Sequence, residues 1–375
     1  MTPRRIVVPH RWWLAGVLAL VVGCQTVPDT AEPTDEQEAA AMVEAVTPES
    51  EMESAETAKP AGPPTGAPLR RTGDEIVVAG QFFHTGTPVV LWLDPGGYDG
   101  YRVERRYGAL DRADWASSVV DNPTLTTPNR FGLRRAVLTA AEAARVRGGG
   151  WELPLLQRVV DQLVLHYDAA GTSRVCFERL HDDRGLSIHF MVDVDGTIYQ
   201  TLDLKERAWH ATVANSRSIG IEIAHVGAYA PDNRQEMDAW YDEQAEGGTR
   251  LVIPQAAHPE SVRTPDFVGR PARPEAVTGR INGEEFVQYD FTPEQYTALA
   301  RLSATLATIF PKLPLDYPRD ADGHLLLTTM PEDAWRGFHG LIGHWHIQTN
   351  KIDPGPALDW DRLVDGARAL LPADE

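Results

Sequence analysis

The chain has 375 residues, enough for two domains or for one domain with tails. It carries 54 Asp and Glu against 35 Lys and Arg, a formal charge of −19. That excludes a general nucleic-acid binder, because phosphate backbones are held by clustered cations, and recognition of any anionic polymer has to come from a local cleft.

The N-terminus opens with Arg4, Arg5 and Arg11 around an apolar run from Trp12 to Val22. That run is too short to span a bilayer as a helix and suits a secretory signal. It closes on Leu20-Val21-Val22-Gly23-Cys24, which resembles the lipobox of bacterial lipoproteins. The resemblance implies that residues 1–23 are a lipoprotein signal peptide, and that Cys24 becomes acylated and anchors the chain to a membrane in the cell envelope. Gln25 follows, where an Asp commonly signals inner-membrane retention, so a host with two membranes is expected to place the chain on the outer membrane facing the periplasm. Cleavage removes three arginines and no acid, moving the charge from −19 to −22. Only two cysteines are present, Cys24 and Cys176, so no disulfide framework is expected, and Cys176 reads as a small buried apolar residue.

Residues 24–72 read as a disordered acidic tether. Between Gln25 and Pro68 ten acids face one cation, Lys59, and there is too little apolar surface to offset chain entropy. Order is expected from Gly73. The stretch 73–150 reads as a small β unit (Ile76–Ala79 and Val89–Leu93) followed by an amphipathic helix over 131–148 that stops at Gly148-Gly149-Gly150.

Residues 151–375 read as the main domain. A buried strand, Leu163–Leu165, leads into His166, and Thr172 caps a helix to Leu180. Ile188–Val194 and Thr197–Leu202 form a hairpin around Asp195-Gly196. Ser218–Ala224 is a second buried strand, and it carries Glu222. Residues 228–290 lack clear periodicity and read as a long insertion, a lid or cleft wall. Thr292-Pro293-Glu294-Gln295 combines an N-cap, an N1 proline and a capping-box Gln, and opens a helix with Leu299, Leu302, Leu306 and Ile309 on one face. Strands alternating with helices predict an α/β fold, a mixed central β-sheet flanked by helices.

Several residues carry chemistry. A mononuclear catalytic zinc site takes three protein ligands and leaves a fourth position to water. His166, His344 and Asp353 could supply them, with His346 an alternative to His344 and Lys351 two residues before Asp353. Glu222 sits on an apolar strand, where a carboxylate is expensive unless used or paired.

Seven motifs in order over residues 160–360 resemble the zinc-dependent N-acetylmuramoyl-L-alanine amidases, the family of phage lysozyme-type amidases and peptidoglycan recognition proteins. They are His166-Tyr167, Ser187-Ile188-His189-Phe190, Asp195-Gly196-Thr197-Ile198-Tyr199-Gln200, Ala208-Trp209-His210-Ala211, Ser218-Ile219-Gly220-Ile221-Glu222-Ile223, Gly343-His344 and Lys351-Ile352-Asp353-Pro354-Gly355. The resemblance implies the amidase, peptidoglycan-recognition-like fold. It also implies Zn2+ held by His166, His344 and Asp353, Glu222 as general base, Lys351 at the oxyanion, His210 in contact with substrate and His189 packed as structure. The implied reaction is hydrolysis of the amide between N-acetylmuramic acid and L-alanine in peptidoglycan or muropeptides. A non-catalytic wall-binding module and a zinc amidase for another acyl-amino substrate are the alternatives. The family usually reads Gly-His-Ser-Asp-Ile, whereas Trp345-His346 follow His344 here, so the groups that orient the ligands are expected to differ.

Overall fold

The computed structural model of the protein describes residues 64–372. The expected signal peptide, Cys24 and the expected tether as far as residue 63 lie outside the described residues. The chain divides after Arg70 into two units, and the second, Arg71 onward, holds every element below.

Strands β1 (Glu75–Val78) and β2 (Gln81–His84) pair antiparallel across Ala79-Gly80, both at positive φ. This is the expected N-terminal β unit. Strand β3 (Val89–Leu91) departs from that expectation by joining the edge of the central sheet. Helix α1 (Trp115–Asp121) starts at Asp114, whose carboxylate accepts from Ser117 N. The single helix expected over 131–148 is broken into a short strand β4 (Phe131–Gly132), a 3-10 turn at Arg135–Val137 and helix α2 (Ala140–Val146). Two forces break it, one local and one from distant parts of the chain. Thr139 and Glu142 form a capping box that starts a helix there. Arg134 is fully buried, its guanidinium donating to the carbonyls of Leu204, Asn215, Ser216 and Ser218, and that anchorage fixes a non-helical backbone.

Helix α3 (Leu153–Val159) leads into β5 (Gln162–Tyr167). Helix α4 (Ser173–Phe177) has the expected Thr172 cap and widens into a π-helical turn to Asp183. Strands β6 (Phe190–Val192) and β7 (Ile198–Gln200) make the expected hairpin. Strand β8 (Arg207–Ala208) pairs with β4, and β9 (Ser218–Ile223) follows. The insertion contains helix α5 (Gln235–Asp238) and two antiparallel pairs, β10 (Tyr241–Asp242) with β11 (Arg250–Leu251) and β12 (Val277–Ile281) with β13 (Glu284–Gln288). Helix α6 (Pro293–Ile309) carries the full Thr292–Gln295 capping box. Helix α7 (Glu332–Gly337), strand β14 (Gly340–Gly343) and helix α8 (Trp360–Arg368) complete the chain.

The central sheet has the order β14-β5-β9-β6-β7-β3. Strands β14, β5, β9 and β6 run parallel, and β7 turns back antiparallel to β6. Parallel strands covered on both faces read as nearly unbroken apolar runs, as β5 and β9 do. On one face Leu163, Leu165, Ile219 and Ile221 pack with α6 and α8, where Leu299, Leu302 and Leu306 are completely buried. Burial of each such side chain contributes about 1.5–3 kcal/mol. On the other face Val164 and Ile342 meet Ala211, Ala214 and Trp335. Register places His166 beside Glu222 and Leu165 beside Gly343, so the parallel strands deliver His166, Glu222 and then His344 to one end of the sheet.

Arg134→Met keeps the stem volume and strips four buried carbonyls of their donor. Each unsatisfied buried polar group costs about 1–3 kcal/mol, so denaturant unfolding should show a loss of at least about 3 kcal/mol. A loss under about 1 kcal/mol would show that the carbonyls find other partners.

Candidate metal centre

Three ligand atoms converge on one point. His166 Nδ1 lies 2.8 Å from Asp353 Oδ2 and 3.1 Å from His344 Nδ1, and His344 Nδ1 lies 2.9 Å from Asp353 Oδ2. The residues are 2%, 5% and 9% exposed, so water cannot separate these groups. Among the described residues this is the one group of potential metal ligands whose members are all buried.

The outer ring nitrogens explain which atoms face inward. His344 Nε2 sits 2.6 Å from the Gln348 side-chain oxygen, an acceptor. A neutral His344 therefore carries its proton on Nε2 and turns an Nδ1 lone pair to the centre. His166 Nε2 lies 3.0 Å from His210 Nδ1, and His210 Nε2 lies 3.3 Å from Ser218 Oγ. With a cation at the centre, His166 can donate Nε2–H to His210 and His210 can donate to Ser218. Such outer bonds fix the tautomer and orientation of a metal-bound histidine. Burial, then the adjacent His344, hold the His166 pKa down to about 4, so the ring is neutral. Burial raises the Asp353 pKa, but His344 and His166 outweigh it and keep the carboxyl ionised. A proton on one Nδ1 satisfies one contact with Asp353 at a time, whereas a cation between them engages both imidazole nitrogens and the carboxylate oxygen together. Two nitrogens and one oxygen, with no fourth donor among the described residues, match the ligand set of a catalytic zinc.

His346 is not available to that group. Its Nδ1 accepts from Gly343 N at 2.9 Å and its Nε2 meets Leu326 O at 2.8 Å. Trp345, completely buried, bonds the same carbonyl and packs on Trp360. These two residues, which depart from the family pattern, thus anchor the His344 turn from beneath. Spacing alone could not choose between the two histidines, whereas the bonded partners do.

Glu222 neighbours His166 in strand register and is 9% exposed. Its Oε2 is buried and has no hydrogen-bond partner among the described residues. Burial, then repulsion by Asp353 and Asp168, push its pKa well above the carboxylate range, while Arg184 and Lys351 pull it back. An unpaired carboxylate oxygen beside the ligand triangle is a proton acceptor lacking only its donor. Lys351 is half-buried on the loop that carries Asp353, close enough to influence both Glu222 and His166.

His210 is partly exposed and lies against Gly220, where a Cβ would stand 2.6 Å from His210 Nδ1. Glycine at 220 therefore makes room for the ring on the strand surface. His189 is completely buried, accepting from Gly220 N at 3.1 Å and donating to Glu206 O at 3.0 Å. Cys176 is buried and free. Cys24 lies outside the described residues. The sequence reading missed Gln348 and Ser218. Gln348, four residues after His344, was within reach of a spacing argument, but Ser218 was hidden in an apolar strand.

A family profile described as N-acetylmuramoyl-L-alanine amidase matches residues 156–356, more than half of the chain. The chain belongs to the N-acetylmuramoyl-L-alanine amidase family. No curated protein matches it. Solved structures that align with it include a selenomethionine derivative of AmpD, 17% identical, covering 66% of this chain and 93% of that one with a TM-score of 0.29. A second is AmiD from E. coli in complex with anhydro-N-acetylmuramic acid-L-Ala-D-gamma-Glu-L-Lys, 19% identical, covering 57% and 58% with a TM-score of 0.30. A third is the endolysin amidase LysCS from Clostridium intestinale, 17% identical, covering 58% and 88% with a TM-score of 0.28.

Metal analysis of the purified chain should give close to one zinc equivalent, lost in His166→Ala and His344→Ala. His346→Ala should keep its zinc as long as it folds. Zinc retained in His344→Ala and lost in His346→Ala would reverse the assignment.

Proposed function

We propose that this chain is a zinc-dependent amidase that cleaves the bond between the lactyl group of N-acetylmuramic acid and L-alanine in peptidoglycan or muropeptides. The observation that carries the reading is the buried His166–His344–Asp353 triangle beside the unpaired oxygen of Glu222, in a chain of this family. A zinc ion bound there supplies a Lewis acid for the scissile carbonyl and lowers the pKa of a water toward about 7.

The protein's own residues do the rest. Glu222 Oε2 accepts a proton from the attacking water as its oxygen bonds to the carbonyl carbon. The same proton then passes to the departing nitrogen of L-alanine as the carbon–nitrogen bond breaks. The unpaired Oε2 of Glu222, beside the ligand triangle, is placed to take the proton and hand it on. Lys351 places a positive charge where the carbonyl oxygen becomes negative. His210 holds His166 from behind and, being partly exposed, is open to contact with the substrate.

Glu222→Gln keeps shape and zinc but removes the proton acceptor. Mass spectrometry of muropeptides should show cleavage slowed by roughly 10²–10⁴-fold. Near-normal turnover with zinc bound would remove Glu222 from the mechanism. Zinc binding without any muropeptide cleavage by the unmodified chain would instead favour a wall-binding module.

We further propose that Cys24 is acylated and tethers the enzyme in the cell envelope, on the outer membrane facing the periplasm where the host has two membranes. The support is the lipobox-like Leu20–Cys24 segment alone. Two or more acyl chains hold stably where one does not. Cys24→Ser should abolish acylation while the released chain keeps its hydrolytic rate. Unmodified protein recovered in the soluble fraction, without lipid mass on its N-terminal peptide, would end the anchoring proposal and leave the hydrolase intact.

A further inference from the structure

His166 ends a central strand and His344 opens the turn after another, so the sheet itself locates both. Asp353 has no such support. It sits in a loop, residues 348–357, whose own backbone bonds are few: Lys351 N to Gln348 O at 3.1 Å and Gly355 N to Ile352 O at 2.9 Å. Trp345 N reaches Asp353 O at a long 3.4 Å. Yet the Asp353 carboxylate has to meet two imidazoles at 2.8 and 2.9 Å.

The hairpin β12–β13 grips this loop at two points. At its base, Gln288 is completely buried and spends both ends of its amide on the loop. Its Nε2 donates to Pro354 O at 3.1 Å, and its Oε1 accepts from Ala357 N at 2.9 Å. The side chain therefore serves the loop as a neighbouring strand would. The fit is close, because a Cβ on Gly355 would collide with the Gln288 amide and one on Gly279 would stand 2.6 Å from Pro356 Cβ. At its tip, Asn282 and Gly283 turn at φ of 52° and 89°. Asn282 Nδ2 points at Thr349 O, 3.3 Å, and Lys351 O, 3.5 Å, while Oδ1 accepts from Thr329 N at 2.8 Å.

We propose that the β12–β13 hairpin is a splint for the catalytic loop, with Gln288 the positioning residue for Asp353 and Asn282 the positioning residue for Lys351. This rests on the reading that the triangle holds zinc. Metal sites demand ligand placement within about 0.5 Å, and loss of an outer partner typically weakens metal binding roughly 10- to 100-fold. The insertion that contains the hairpin is then part of the active-site frame, not a cover over it.

The test uses the full chain and three readouts: the zinc dissociation constant by chelator competition, the visible spectrum of the cobalt-substituted protein, and kcat with KM. Gln288→Met keeps the volume and removes both loop bonds. It should weaken zinc binding roughly 10- to 100-fold and alter the cobalt spectrum. Asn282→Gly removes only a side chain, since glycine accepts the left-handed backbone freely. It should lower kcat while leaving zinc affinity nearly unchanged. Folded variants with wild-type zinc affinity, cobalt spectrum and kcat would overturn the splint. If Gln288→Met fails to fold, an unchanged kcat in Asn282→Gly is sufficient to overturn it. A wild-type chain that takes up no zinc overturns the proposed function and the splint with it. Normal wild-type zinc binding with unaffected variants overturns the splint alone.

Discussion

Two imidazole nitrogens and a carboxylate oxygen are held within 3.1 Å of one another in a place almost closed to water. Left to itself this arrangement is costly, because buried lone pairs and charge need a compensating partner. A cation is the partner that satisfies all three at once. The surrounding structure is organised to make them meet. Parallel pairing of β14, β5 and β9 brings His166, Glu222 and the start of the His344 turn to one end of the sheet. Outer bonds from Gln348 and His210 turn the ring nitrogens inward.

The two sheet faces divide the labour. One packs against α6 and α8 and supplies most of the apolar burial. The other carries Ser218, Gly220 and Glu222 alongside Val164 and His166, and it bears the chemistry. The segment from Leu204 to Ser218 lies over that second face and carries His210. It is fastened from within by Arg134, which donates to carbonyls at both ends of the segment. Residues before the family-matched region therefore hold part of the site's wall, and residues in the insertion brace another part.

Much of this was legible in the sequence where local pattern and tertiary role coincide. Strands β5 and β9 announced themselves as nearly unbroken apolar runs, and Thr292-Pro293-Glu294-Gln295 marked the start of α6. The candidate ligand residues stood out because His166, His344 and Asp353 lie in recognisable motifs. What stayed hidden depends on partners far apart in the chain. Val89–Leu91 reads as a strand, but nothing local says that it will pair with Ile198–Gln200. A buried Arg134 runs against the ordinary preference of arginine for the surface, so the helix expected across it does not form. The Asn282-Gly283 dipeptide is a strong hairpin signal. Its flanking strands lack a clean apolar alternation, because Gly279 and Gln288 face the Asp353 loop while Ile281, Phe286 and Val287 pack into the core.

If the triangle holds the catalytic metal, anomalous scattering at the zinc edge from crystals of the protein shows one strong peak bonded to His166 Nδ1, His344 Nδ1 and Asp353 Oδ2, with zinc–nitrogen distances of about 2.0–2.1 Å. A peak ligated by His346, or one confined to the more exposed Asp74–Glu75–His84 or Asp320–Asp322–His324 groups, would contradict it.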